Sequence, residues 1–216
     1  MSITDAAGAT LLSTELNRRQ DGIITPYYSM DVTFTEPGLY QAELTEVDGT
    51  AAEPIPIEFL VIDPTEGTIP QVGDPLPALD TPTTADPMGI EQLCTRAAQC
   101  PFHELNLANS VTNGRPTVLL VATPGFCQTD ICGPVVDLLI DAAATRADLD
   151  VIHLEVWNDP SAFAAGQFPD LVAAVDELGL TFEPSLFVAD ATGTIVSRLD
   201  MTFDAGELAD ALALVS

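Results

Sequence analysis

Val118-Leu-Leu-Val-Ala-Thr-Pro-Gly-Phe-Cys-Gln-Thr-Asp-Ile-Cys-Gly-Pro-Val-Val-Asp-Leu-Leu139 is the stretch whose reading decides the fold. It opens on a continuous apolar run, the pattern of a buried strand. Pro124-Gly125 then marks a turn. Two thiols follow, Cys127 and Cys132. Beyond them Val135-Val136, Leu138-Leu139-Ile140 and Ala143 recur with helical spacing to about Arg146. Fifty residues on, Thr181-Phe-Glu-Pro-Ser-Leu-Phe-Val-Ala-Asp-Ala-Thr-Gly-Thr-Ile-Val196 reads as proline, strand, turn, strand.

The flanking segments extend this alternation. Residues 105–112 predict a short helix ending at Asn113-Gly114, and Thr117–Ala122 predicts the first central strand. Val151-Ile-His-Leu-Glu-Val-Trp157 is another near-continuous apolar strand. Phe168–Leu178 predicts a helix closed by Gly179, and Ser185–Ala189 with Thr194–Leu199 a hairpin around Thr192-Gly193. Ala205–Val215 is a final amphipathic helix. The order is β-α-β-α-β-β-α.

On these residues, about half the chain (105–216) resembles the thioredoxin-like superfamily. The resemblance implies an α/β domain with a mixed central sheet flanked by helices. It also implies a dithiol at a helix start, Cys127 and Cys132, facing a proline held in cis, Pro184 after Glu183. The chemistry implied is thiol–disulfide exchange with protein thiols or disulfides and a redox donor, without a cofactor or a metal. Glu183, directly before Pro184, is expected to approach the dithiol. A carboxylate there disfavours a thiolate or relays a proton to a buried thiol.

The spacing departs from the Cys-x-x-Cys of thioredoxins. A separation of five residues in a continuous helix means about 140° of rotation and about 7.5 Å of rise. Cα atoms more than about 7 Å apart cannot be bridged without backbone movement. Cys127 is therefore expected in the loop before the helix, with Thr129 or Asp130 as N-cap and Cys132 in the first turn, where Pro134 is also tolerated. A helix N-terminus lowers a thiol pKa, whereas Asp130 between the thiols opposes it. The pair reads either as a redox centre or as a staple of the strand–helix junction.

Thr123-Pro-Gly-Phe-Cys-Gln-Thr-Asp-Ile-Cys132 is also similar to the Thr-Pro-Gly-Cys and Cys-x4-Cys pairing of some peroxiredoxins. Here Phe126 adds a residue between threonine and cysteine. The arginine that family needs near Glu183 or Pro184 is missing from that stretch, and Arg198 falls on a different strand. A third reading is a binding module on the same fold with structural disulfides only, since fold alone does not establish catalysis.

Cys94 and Cys100 enclose five residues in an irregular loop and are expected to form a second disulfide. They can alternatively serve as a second redox pair exchanging with Cys127 or Cys132. Zinc held by the cysteines and His103 is a further reading, but Cys-x5-Cys-x2-His and Cys-x4-Cys match no familiar ligand spacing. His153, mid-strand, reads as a core histidine, and Trp157 as core in preference to a border of the dithiol.

Acidic residues number 33 against 6 basic ones, all arginine, for a formal charge of −27. Nucleic acid and anionic membrane surfaces need clustered positive charge, so both are excluded as partners. Dispersed acidity reads as a solvated surface. No run of about 18 apolar residues is present to span a membrane. Paired cysteines suit an oxidising, extracytoplasmic compartment. The first residues lack the pattern of a signal peptide, so the chain is expected to begin inside a longer exported protein, with a cytoplasmic location as the alternative.

Residues 1–63 read as a partial immunoglobulin-like β module, with strands at Thr10–Leu16, Tyr27–Thr35, Leu39–Leu44 and Ile57–Ile62 and turns at Pro37-Gly38 and Asp48-Gly49. Phe34-Thr-Glu-Pro-Gly-Leu-Tyr-Gln-Ala-Glu-Leu44 is similar to the last hairpin of such modules. Residues 64–104 are expected to be a linker and the Cys94/Cys100 loop, because six of the seventeen prolines fall within 64–88. Within that segment, Val72-Gly-Asp-Pro-Leu-Pro-Ala-Leu-Asp80 is similar to the lead-in of exported thioredoxin-like proteins and peroxiredoxins.

Overall fold

The computed structural model of the chain describes residues 1–45, 53–127 and 131–215. It divides into two compact units, one of Met1–Arg19 with Pro26–Gly67, the other of Gln20–Thr25 with Thr68–Ser216.

The first unit is an all-β module. Strands β1 (Ser2–Asp5), β2 (Thr10–Ser13), β5 (Gly38–Leu44) and β6 (Ile55–Val61) form an antiparallel sheet in the order β2-β1-β5-β6. Strands β3 (Asn17–Arg19) and β4 (Tyr27–Ser29) pair separately. Alternation along β5 turns Tyr40 and Ala42 into a small core with Ile3. There Tyr40 meets Phe34 at 4.7 Å and Phe59 at 5.9 Å between ring centroids. Tyr40, shortly after Pro37-Gly38, is thus an inward-facing aromatic. Among the described residues, one sheet and a hairpin do not amount to the two packed sheets of an immunoglobulin sandwich. The expected turn at Asp48-Gly49 lies outside the described residues.

The second unit is built on strands β7 (Thr117–Val121), β8 (Asp150–Leu154), β9 (Ser185–Ala189) and β10 (Ile195–Asp200), in the order β10-β9-β7-β8. β7 and β8 are parallel, while β9 is antiparallel to both β7 and β10. Helices α1 (Leu107–Ser110), α2 (Cys132–Ala143), α3 (Ala173–Glu177) and α4 (Ala205–Ala213) complete the unit. A mixed sheet with this order, these directions and these crossovers is the thioredoxin-like fold. Its central strands are apolar throughout because both faces are covered: all five residues of β7 and of β9 are buried. Val118 and Leu120 join Val135, Val136 and Leu139 of α2 and Leu208 and Leu212 of α4 on one face. Leu119 and Val121 join Leu107, Val175 and Leu178 on the other. Each such side chain contributes roughly 1.5–3 kcal/mol of burial.

Residues 68–104 are not the linker their proline content suggests. Residues 73–76 lie along the outer edge of β10, where Gly73 and Leu76 donate to the carbonyls of Ile195 and Gly193 at 2.9 and 2.8 Å. Proline is compatible with such an edge, because it need only forgo donation toward solvent. Leu76, Ile90, Cys94, Cys100 and Phe102 are all buried in the core of this unit. The boundaries expected at residues 63 and 104 therefore shift, with Gly67 closing the first unit and Thr68 opening the second.

Several elements are shorter than their sequence pattern, β8 and α3 among them. β8 ends at Leu154, and the helix expected from Phe168 is α3, beginning only at Ala173. Both follow from one arrangement. Asn158 donates to the Asp170 carbonyl at 3.0 Å and Val172 to that of Val156 at 2.9 Å, so residues 170–172 are held extended against the chain leaving β8.

Candidate active site

Cys132 is the first residue of α2, and Cys127 lies in the loop after β7. The two are disulfide-bonded with Cα atoms 6.0 Å apart, within the range the loop placement requires. Cys132 is fully buried, whereas Cys127 is half-buried. Thr129 and Asp130, expected as N-cap, lie outside the described residues, and Ile131 occupies the cap position without a side-chain cap bond. The first-turn amide of Cys132 donates to Cys127 Sγ at 3.4 Å. A helix-start N–H aimed at a sulfur stabilises that sulfur as a thiolate.

The Glu183–Pro184 peptide is cis, and Pro184 is buried. Glu183 is half-buried beside the dithiol, with Oε2 3.7 Å from Cys132 Sγ. The same oxygen accepts the Thr123 N–H. Burial raises the Glu183 pKa, and hydrogen bonds from the Thr123 backbone and hydroxyl pull it partly back. The carboxyl thus approaches the buried sulfur of the pair and not the half-exposed one.

A cavity of about 540 Å³ opens beside Cys127. Trp157, Leu171, Val175, Leu180 and Phe182 give it apolar walls, and Glu183 and Met201 complete its rim. Met201 holds a left-handed φ of 66°, with its N–H donated to the Pro184 carbonyl at 2.8 Å. Trp157 is a wall of this cavity and not simply core. Phe163 packs edge-on against it at 5.3 Å and reaches Phe126, one residue before Cys127, at 5.6 Å.

Cys94 and Cys100 are not bonded to each other, correcting the expected second disulfide. Both sulfurs also face imidazoles. Cys100 Sγ is 3.1 Å from His103 Nε2 and 3.3 Å from His153 Nδ1, and Cys94 Sγ is 3.8 Å from His153 Nδ1. A hydrogen bond from Cys100 holds the Cys94 thiol far below its usual pKa, and the same bond drives that of Cys100 upward, so the two share one proton. Next to them Glu155 is buried and accepts from both the N–H and the hydroxyl of Thr95. Burial pushes its pKa up to about 8.

The cluster was only partly legible in the residue pattern. His153 is the buried, hydrogen-bonded histidine its mid-strand position predicts, but it also faces both sulfurs, and Glu155 was not singled out. The available signal was the His-x-Glu within an otherwise apolar run, because polar residues on a buried strand are more informative than apolar ones. Arg198 ion-pairs with Asp200 at 2.6 Å and donates to the Pro70 carbonyl at 3.1 Å. Arg96, Arg115 and Arg146 are likewise paired, with Asp137, Asp150 and Asp148.

No protein-family model and no curated protein matches the chain. Solved structures with which it shares likeness include DsbF of Mycobacterium tuberculosis, in mixed oxidised and reduced forms, at 18% identity and a TM-score of 0.39, covering 50% of this chain and 86% of that one. A secreted Mycobacterium tuberculosis disulfide oxidoreductase homologous to Escherichia coli DsbE aligns at 18% identity and a TM-score of 0.40, over 51% of this chain and 88% of that one. StoA from Bacillus subtilis aligns at 14% identity and a TM-score of 0.37, over 56% and 95%. Among the described residues, no helix is long and apolar enough to cross a membrane.

Proposed function

We propose that this chain is a thiol–disulfide oxidoreductase whose working pair is Cys127 and Cys132, acting on protein thiols or disulfides. One observation carries the reading: a disulfide at the start of α2 has its half-exposed sulfur on an apolar cavity and its buried sulfur beside Glu183. A staple would need neither the cavity nor the carboxyl.

In the oxidised protein a substrate thiolate attacks Cys127 Sγ. A mixed disulfide forms as the Cys127–Cys132 bond breaks, and Cys132 leaves as a thiolate. Glu183, 3.7 Å from that buried sulfur, relays a proton to it, and burial shifts the carboxyl pKa in the direction that favours this. A second substrate thiolate then attacks its partner sulfur in the mixed disulfide and releases Cys127, whose thiolate the Cys132 amide stabilises. Two electrons pass from substrate to protein, and the substrate gains its disulfide. The same steps in reverse reduce a substrate disulfide and require a thiol donor to restore the pair. An oxidising extracytoplasmic compartment suits this chemistry.

The peroxidase reading is weaker, because each described arginine of this unit is already paired with a carboxylate. The test is the thiol state of Cys127 and Cys132 across a series of glutathione redox buffers. A working pair titrates at a potential above about −300 mV. A pair that stays oxidised below that value is a structural staple, and the enzymatic reading fails.

A further inference from the structure

Four side chains outside the exchange site converge in the interior. Cys94, Cys100, His103 and His153 are 7%, 3%, 3% and 2% exposed. Their ligand atoms all lie within 4.8 Å of one another. The first three come from one irregular loop, and His153 comes from β8.

We propose that these four side chains form a closed, structural zinc site of the Cys2His2 type. In a tetrahedron with Zn–S of about 2.3 Å and Zn–N of about 2.0–2.1 Å, neighbouring ligand atoms stand about 3.3–3.8 Å apart. The sulfur–nitrogen distances of 3.1, 3.3 and 3.8 Å bracket those edges. No separation in the cluster exceeds 4.8 Å, so tetrahedral closure asks for a contraction of at most about 1.5 Å. Ligand count also fits, since two thiolates and two neutral imidazoles balance the dication and leave no net charge in an apolar core.

The hydrogen bonding around His153 points the same way. Its Nε2 lies 3.0 Å from the Ala122 carbonyl, which can only accept. The ring proton is therefore on Nε2, and the Nδ1 lone pair faces both sulfurs. A backbone carbonyl on the far nitrogen is the usual outer support of a metal-bound imidazole. A void of about 10 Å³, lined by His103, His153 and Glu155, adjoins the cluster and leaves room for the rings to adjust.

The site also reaches the dithiol loop from both sides. His153 is bonded to Ala122 at the end of β7. Thr95, next to Cys94, accepts the Gly125 N–H at 2.9 Å, two residues before Cys127. Zinc would thus fix the base of the loop that carries the exchange centre, without taking part in the exchange.

The full chain, purified under reducing conditions, is stripped with a chelator and titrated with zinc alone and with cobalt(II) alone. We expect one metal per chain by native mass spectrometry and a higher melting temperature on loading. The cobalt form should show the intense visible bands and sulfur charge transfer of a tetrahedral thiolate centre. Cys94→Ser and Cys100→Ser should lower affinity at least about tenfold, and His153→Ala should shift the cobalt spectrum. Cys127→Ser and Cys132→Ser should leave all three readouts unchanged. If the ligand variants fail to fold, the unmutated protein still decides. A cobalt spectrum typical of octahedral oxygen ligands would overturn the proposal. So would zinc below about 0.1 per chain at saturation, or a Cys94–Cys100 disulfide in the purified protein. None of these outcomes bears on the redox potential of Cys127 and Cys132.

Discussion

The backbone N–H of Thr123 donates to Glu183 Oε2, fastening the loop that leads into Cys127 to the residue preceding the cis-proline. One carboxyl therefore serves two neighbours, since the same oxygen lies 3.7 Å from Cys132 Sγ. Its charge state bears on both the position of the loop and the basicity of the buried thiol.

Glu183→Gln should accelerate alkylation of the reduced protein at neutral pH. An ionised Glu183 opposes thiolate formation at Cys132, and the amide removes that opposition. Relief of one pKa unit multiplies the thiolate fraction by up to about tenfold. The rate with iodoacetamide, resolved at Cys127 and Cys132 separately by peptide mass spectrometry of the otherwise unmutated chain, reads this directly. An unchanged rate would show that Glu183 does not sense the thiols.

Glu183 should also leave a mark on stability against pH. Burial raises its folded pKa above the unfolded value, which is about 4.3 for a glutamate. The folded state then holds the proton longer than the unfolded one. That contribution is fully present below about pH 4.3 and is lost as pH rises through the folded pKa. Urea unfolding of the oxidised protein should show stability declining across this window. In Glu183→Gln that part of the slope should vanish.

The second unit was largely legible because its strands are buried on both faces. Val118–Val121 and Leu186–Ala189 are apolar runs without alternation, and only a covered central strand reads that way. The five-residue spacing of the thiols placed Cys127 off the helix, as observed. Three features were not legible. Prolines in residues 70–77 suggested a linker, but the free edge of β10 accepts them. Pairing of residues 170–172 with the chain leaving β8 overrode the helical pattern from Phe168. The Cys94 cluster was hidden because its fourth member, His153, arrives through the parallel pairing of β8 with β7, which no local spacing encodes.

Phe187→Ala should be among the most damaging core changes. Phe187 lies at the centre of β9, fully buried, with the Arg198 guanidinium 5.9 Å above its ring. Truncation removes transfer energy and leaves a cavity, costing about 3–5 kcal/mol. Phe187→Leu keeps most of the volume and should cost far less. Denaturant midpoints at constant m-value test this, and equal losses for the two variants would argue against close packing at this position.

Under the proposed exchange reaction, Cys127 and Cys132 should have separable roles. Cys127 is half-exposed on the cavity and receives the Cys132 amide, which favours its thiolate. Cys132 is fully buried, out of reach of a protein substrate, with Glu183 Oε2 3.7 Å from its sulfur. Attack needs an accessible thiolate, so Cys127 should form the mixed disulfide and Cys132 should resolve it. Cys132→Ser should accumulate a covalent adduct with a reduced or scrambled protein substrate, visible on non-reducing gels. Cys127→Ser should abolish both the adduct and turnover in an insulin reduction assay, because the remaining thiol is shielded. Trapping by Cys127→Ser in place of Cys132→Ser would reverse the assignment. Unimpaired exchange by both variants would move the chemistry away from this pair altogether.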